Sequence, residues 1–550
     1  MSDGILTRVA RGLSGPATAA SDWLYRRLTP DGAIVEVVVE PCADSAATQV
    51  WLGRIRRLAT DTRVKRVLFW VRAAPGGWAA TSDLRTILRE LRDAGKTVWA
   101  YVKAPGNALI WLASAADRVL MPPTGEVALT GVAIELTFLA NGLEQLGLEA
   151  DVISAGAYKS LGERFTRTHA SAENREAMEA IVDGLQDRLV VDLSASRGMP
   201  LEEVRAAMRE APLAGEDAAE RGLVDVLSYP DEVEGLLKEA FGTGDTIPLS
   251  SWASRDALRV WTSHWGRRRR VVVLHLEGPI VMEDDSGRTC IRGRTAVEAL
   301  DQLREDDKVA GVVLHVESPG GSAFASDLIW RAVKRLAEDK PVVASFGDVA
   351  ASGGYYVSAA AREIVARSVT LTGSIGVVGG KLVAAGAMRK LGVVSQTFAA
   401  DSASLWLSPS RRFSAEERVR VKASFQRVYN GFVERVAEGR GTTPEEVEPY
   451  CRGRVWTGKD ARERGLVDRE GTTFDAVERV AELASLPKGV WRREDRSPAN
   501  PKAWAAFVRG QLMRRMPLGA FAPSLEALGM LLQATPGQAL ALLPWRIDLR

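Results

Sequence analysis

Apolar, β-branched runs recur along the chain at corresponding places. One opens each of two long stretches, at 33–39 and 271–276, in the continuous form of a strand covered on both faces. A second run, 67–71 or 311–316, leads each time into Pro-Gly-Gly. An amphipathic stretch follows, 82–93 or 326–338, with serine and aspartate at its start in keeping with a helix cap. A third apolar run comes next, at 97–102 or 341–346. Strands alternating with helices predict βαβ units and a mostly parallel sheet, an α/β fold.

The two stretches are copies. Gly215-Glu-Asp-Ala-Ala-Glu-Arg-Gly-Leu-Val-Asp225 parallels Gly458-Lys-Asp-Ala-Arg-Glu-Arg-Gly-Leu-Val-Asp468, identical at nine of eleven positions. Ala74-Pro-Gly-Gly-Trp-Ala-Ala-Thr-Ser-Asp-Leu84 parallels Ser318-Pro-Gly-Gly-Ser-Ala-Phe-Ala-Ser-Asp-Leu328 at an offset of about 244 residues. Two copies at so long a period predict tandem domains rather than a solenoid. The expected division is a basic N-terminal segment (1–31), a first domain (32–245), a linker (246–270), a second domain (271–490) and a tail (491–550).

Bulk composition narrows the function classes. The 550 residues carry a formal charge of +2, too small to argue for nucleic acid. Arg267, Arg268, Arg269 and Arg270 form a local basic run, read as a solvated interdomain segment. Cys42, Cys290 and Cys451 lie far apart in no metal-ligand spacing, which fits a reducing compartment and no metal. No nucleotide motif is visible, so no cofactor is expected. Ile5, Leu6, Val9 and Leu13 suit one face of a short helix, but Arg8 and Arg11 interrupt any signal-peptide core. Near the other end, 527–545 is uncharged yet broken by Gln533, Thr535, Pro536, Gly537 and Gln538, so no transmembrane span is read. The expected location is cytoplasmic or peripheral to a membrane. The tail mixes Arg and Lys with Trp504, Phe507, Phe521 and Trp545, a composition that suits a membrane surface or a neighbouring subunit.

Candidate chemistry emerges from differences between the copies. The second has Gly347-Asp-Val-Ala-Ala-Ser352-Gly-Gly-Tyr-Tyr356, a serine in a small-residue turn before a helix expected from Tyr355. Such a turn lets a carbonyl approach backbone N–H groups. The first copy has Asn107 or Ala108 at that place, depending on one gap, and neither is a nucleophile. The reverse holds downstream, where Lys159 of the first copy aligns with Ser404 of the second. Leu371-Thr-Gly-Ser374-Ile-Gly parallels Leu129-Thr-Gly-Val132-Ala-Ile, a hydroxyl against an apolar side chain. One half thus offers a nucleophile and the other a base.

Ser318-Pro-Gly-Gly-Ser322, Ala350-Ala-Ser-Gly-Gly-Tyr355, Leu371-Thr-Gly-Ser-Ile-Gly376 and Tyr158-Lys-Ser160 together resemble the signature of signal peptide peptidase A (protease IV), long form, over roughly residues 33–485. The resemblance implies a crotonase/ClpP-like domain in each half, with Ser352 as nucleophile, Lys159 as general base and Ser374 orienting the lysine. Gly320 or Gly321, with Gly353, would supply the oxyanion-hole amides. It further implies peptide substrates such as signal-peptide remnants, and a homotetramer. Bacterial members commonly carry an N-terminal membrane anchor, which is not seen here. A lysine base works only when neutral, which asks for a drop of about three pKa units, roughly 4 to 5 kcal/mol, within the reach of burial. Two other readings stay open: a crotonase-like acyl-CoA enzyme, and a catalytically idle scaffold at a membrane. A histidine triad has weaker support, because His275 and His315 fall within strand patterns.

Overall fold

The apolar runs form three large sheets, two belonging to one half each and a third shared between them, beside a two-stranded pair of Glu126–Val127 with Leu213–Ala214. The structure is a computed structural model and describes residues 19–263, 269–283, 289–498 and 540–542. In the first half, six parallel strands lie in the order Val226–Leu227, Arg118–Met121, Thr97–Val102, Val64–Val71, Ala33–Val39, Thr246–Pro248. The second half repeats all six with Arg469–Glu470, Glu363–Ala366, Val342–Ala351, Val309–Ser318, Arg269–Glu277 and Trp491–Arg496, to which Leu371–Gly373 and Val455–Thr457 are added. A tandem, duplicated α/β fold results. Strand residues such as Val35, Val37, Phe69, Val272 and Leu314 are fully buried, as strands covered by helices on both faces require.

The near-identical sequences at 215–225 and 458–468 do the same work in both halves. Each starts a short helix, Gly215–Glu220 or Gly458–Glu463. Each ends in an aspartate whose carboxylate accepts a backbone N–H: Asp225 from Val119 at 2.7 Å, Asp468 from Ile364 at 2.6 Å. The aspartate ties the helical turn to a sheet strand, which accounts for its presence in both copies.

Several boundaries differ from the sequence expectation. The segment 246–263 is not a linker: Thr246–Pro248 pairs with Ala33–Val39, and helix Leu249–Ser263 buries Trp252 against the first half. Residues 491–496 form an edge strand beside Arg269–Glu277, so the second domain extends into the expected tail. Its alternating charges hid it, because an edge strand needs only backbone pairing. The helices after Pro-Gly-Gly start earlier than expected, as Trp78–Asp93 and Ala323–Asp339. Asp83 is not a cap; it forms a buried ion pair with Arg367 of the other half. The helix after Ser352 likewise starts sooner, at Gly353. The residues named at the extreme N-terminus, His264, Arg267, Arg268 and the aromatic residues of the tail lie outside the described residues. Among the described residues, no helix is long and apolar enough to cross a membrane.

The halves are locked through backbone amides. Asp348 of the second half accepts from Gly77 N at 2.8 Å and Ala79 N at 2.6 Å, capping the helix Trp78–Asp93. A methyl group on Gly77 would sit 2.5 Å from that carboxyl, so glycine is required there. Burial pushes the Asp348 carboxyl up, and the amides pull against that shift. Glu317 lies behind it, accepting from Asp348 N at 2.6 Å; burial and Asp348 hold its carboxyl well above the usual range.

Candidate active site

The third sheet brings the candidate residues together. Strand Glu149–Ala155 of the first half runs antiparallel to Val377–Val383 of the second, with Ala155 opposite Val377. Lys159 lies just beyond the end of one strand and Ser374 just before the start of the other. Antiparallel pairing therefore delivers both loops to the same end of the ladder. A shift of one residue would turn every side chain of the strand to the opposite face, so register is a condition of the site.

The loop around 452–454, which the sequence reading passed over, fixes both neighbours. Ser374 N donates to Arg454 O at 2.6 Å, Gly453 N to Ile375 O at 2.7 Å, and Tyr158 N to Arg452 O at 2.8 Å. Gly453 has φ +81°, and a methyl there would lie 2.6 Å from Lys159 N. The only local signal was a glycine between two arginines.

Lys159 Nζ lies 2.7 Å from Ser352 Oγ, 2.8 Å from Ser374 O and 2.9 Å from Ser374 Oγ. All three residues are buried. Among the described residues no charged partner acts on the amine, and burial holds its pKa well below the ordinary lysine value. Ser352 caps the helix Gly353–Ser358 with φ 55° and ψ −115°, and Ser374 has φ 51°. Non-glycine residues at positive φ are uncommon and cost about 1–3 kcal/mol each, and here the two flank one lysine. Ser352 N donates to Gly373 O at 2.7 Å, which holds the strained turn.

The three glycines singled out in sequence lie beside Ser352. A methyl on Gly353 would fall 3.1 Å from both Gly320 Cα and Gly321 N; one on Gly321 would meet Ile280 O at 2.0 Å. Gly320 N donates to Ser318 Oγ at 3.1 Å. In the first half the corresponding helix, Asn107–Ala113, is capped by Gly106. Counted from the start of the helix, Gly106 stands where Ser352 does; counted from its end, Ala113 against Ser358, Asn107 does. Asn107 instead turns inward, donating to Gly131 O at 2.8 Å and accepting from Gly131 N at 3.0 Å. Ser404, aligned with Lys159, is exposed in a short turn of helix capped by Asp401.

None of the described histidines takes part in this constellation. His275 and His315 are buried on adjacent strands with ring centroids 5.1 Å apart. His275 Nε2 is 2.9 Å from Asp495, and His315 Nδ1 is 3.2 Å from Thr473 Oγ1. Burial, with His275 and Arg493 nearby, keeps His315 neutral well below its usual range.

Two stretches of the chain, 90–242 and 334–487, match the profile of Peptidase family S49. The chain is 32% identical over 438 residues to the Serine protease SPPA, chloroplastic, of Arabidopsis thaliana, covering 78% of this chain and 65% of that protein. It is 34% identical over 415 residues to Protease 4 of Salmonella typhi, covering 72% and 66%. Protease 4 of Haemophilus influenzae is 30% identical over 417 residues, covering 72% and 66%. The chain thus spans just under two thirds of the length of these relatives.

Proposed function

Because the chain belongs to peptidase family S49, we propose that it is a serine endopeptidase in which Ser352 is the nucleophile and Lys159 its general base. The observation that carries this reading is the 2.7 Å contact between Lys159 Nζ and Ser352 Oγ inside a fully buried site. A neutral amine has two N–H groups and one lone pair. Ser374 O and Ser374 Oγ accept the two N–H groups, which leaves the lone pair for the Ser352 hydroxyl proton. Ser374 is a positioning residue in this scheme.

Ser352 Oγ attacks the scissile carbonyl carbon while its proton passes to Lys159 Nζ. The charge gathering on the carbonyl oxygen is met by the amides of Gly353 and of Gly320 or Gly321. Gly321 suits this better, since the Gly320 amide is already engaged by Ser318. The lysine ammonium returns its proton to the leaving amine, the C–N bond breaks, and an acyl-enzyme ester remains. Water that gives a proton to the same amine then attacks the ester, and Ser352 recovers its hydrogen.

The substrates in this reading are apolar peptides, with signal-peptide remnants among them, as the motif resemblance implies. Association into a homotetramer accords with Leu391, Val394 and Phe398, which are 79%, 92% and 85% exposed on one segment; light scattering measures it. An acyl-CoA enzyme or an idle scaffold leaves the Ser352–Lys159 contact without a role.

A fluorophosphonate probe with mass mapping tests the assignment. An adduct on Ser352, lost in Ser352→Ala and in Lys159→Ala chains that remain folded, is the expected result. An idle scaffold gives no adduct at all. An adduct formed at full rate in Lys159→Ala removes lysine as the base.

A further inference from the structure

The differences between the halves that single out Ser352, Lys159 and Ser374 extend to three residues around them. Helices Ala172–Arg197 and Ala415–Arg440 both have 26 residues, and a serine caps each, Ser171 or Ser414. Aligned from those caps, Glu176 stands where the second half has Val419. The repeat at 215–225 and 458–468 sets Arg454 against Ala211, and the alignment of Lys159 with Ser404 sets Tyr158 against Ala403. The helices and the aspartates that tie them to the sheets recur in both halves, because both halves need them to fold. Glu176, Arg454 and Tyr158 occur once, as the reacting groups do.

These three residues meet beside the lysine. Glu176 Oε2 accepts from Tyr158 Oη at 2.9 Å, and Oε1 is ion-paired with Arg454 Nη1. Those contacts, the Arg454 one first, hold the Glu176 carboxyl below its usual range. The Arg454 guanidinium also packs over the Tyr158 ring, 5.0 Å from its centroid, and over the Trp456 ring at 4.3 Å. Trp456 is itself fixed, its Nε1 donating to Tyr450 O at 2.8 Å. Both residues that Glu176 holds adjoin the site. Tyr158 directly precedes Lys159, and the Arg454 carbonyl accepts Ser374 N–H at 2.6 Å. Gly453, next to Arg454, lies against the Lys159 backbone. One carboxylate of the first half therefore ties a loop of the second half to the segment that carries the base.

We propose that Glu176 and Arg454, with Tyr158, are positioning residues for the reaction: their contacts clamp the loop 452–454 onto Lys159 and so fix Ser374, whose two oxygens aim the amine at Ser352. The word reaction rests on the peptidase reading above; the hold of the clamp on the two loops does not. The Glu176 side chain is 56% exposed, and an ion pair so open to water adds little to overall stability. A displacement of about 1 Å at a reacting group can by contrast cost about a hundredfold in rate. The effect of the clamp therefore falls on kcat and on the dryness of the amine, and hardly on folding.

Four variants of the full chain test this: Glu176→Ala, Arg454→Met, the two together, and Glu470→Ala as a control. Glu470 takes the ion pair of Arg188 at 3.2 Å, which also joins helix Ala172–Arg197 to the second half but lies about three turns further along it. For a fluorogenic apolar peptide, kcat should fall about tenfold in each single variant and no further in the double one, with KM unchanged. The midpoint of the pH–rate profile should move up toward lysine's ordinary value, because water then reaches an amine whose low pKa comes from burial. Hydrogen exchange followed by mass spectrometry should be about tenfold faster at 158–160 and at 374 in Glu176→Ala. Glu470→Ala should match the wild type in all three. A Glu176→Ala chain that behaves as Glu470→Ala does, or losses in kcat that multiply in the double variant, overturns the proposal. If the wild type neither turns over peptide nor labels at Ser352, the peptidase reading falls; faster exchange at 158–160 and 374 in Glu176→Ala then still upholds the clamp, and unchanged exchange overturns it.

Discussion

Lys159 is the group on whose charge the chemistry depends, and pH is the perturbation that reads it. Among the described residues no carboxylate faces its ammonium form, and burial holds the native pKa well below the ordinary value of 10.5. In the unfolded chain the amine returns to that ordinary value. Below both values it is protonated in both states and contributes no slope. Between them the unfolded chain binds one proton more than the native chain, so stability rises with pH by about 1.4 kcal/mol per unit for this group. Above the unfolded value the contribution is fully present, and it is lost as pH falls through the native one. Lys159→Met nearly keeps the side-chain volume and removes the proton. Urea unfolding of the two chains at stepped pH below 10.5 should therefore diverge at that slope once the native pKa is passed, the wild type gaining on the variant. The same ionisation sets the rate: kcat/KM should rise with pH through the native pKa and level off once the amine is neutral. The inflection should stay where it is when salt is raised, since desolvation and not a charge pair causes it. Parallel stability curves, or a rate that inflects only at lysine's ordinary value, would refute the buried neutral base.

Two further perturbations probe the frame around the pair. Ser352→Gly should abolish turnover and yet raise the urea midpoint by about 1 kcal/mol of stability, because glycine takes φ 55° without strain; a destabilised variant argues against a strained nucleophile. Asp348→Ala should cost about 3 kcal/mol by stripping the acceptor from Gly77 and Ala79 N–H groups. Faster hydrogen exchange at 77–80 is the accompanying sign, and unchanged exchange there would remove the carboxylate from the account of how the halves dock.

What the sequence by itself determined is the duplication and its asymmetries. Periodic apolar runs, Pro-Gly-Gly before each helix and the repeated Arg-Gly-Leu-Val-Asp are local patterns, and local patterns carry local structure. Comparing the copies also singled out Ser352, Lys159 and Ser374, because each lacks a chemically equivalent partner in the other half. Only the tertiary structure decided that these residues meet. Their contact depends on the pairing of Glu149–Ala155 with Val377–Val383, whose register neither strand specifies alone. The same holds for Asp348, which caps a helix of the other half, and for 246–263 and 491–496, which complete sheets from outside the expected domains. In each case the decisive partner is a backbone N–H or C=O far away in the chain. Every residue but proline carries the same two groups, so residue identity says little about which of them will pair.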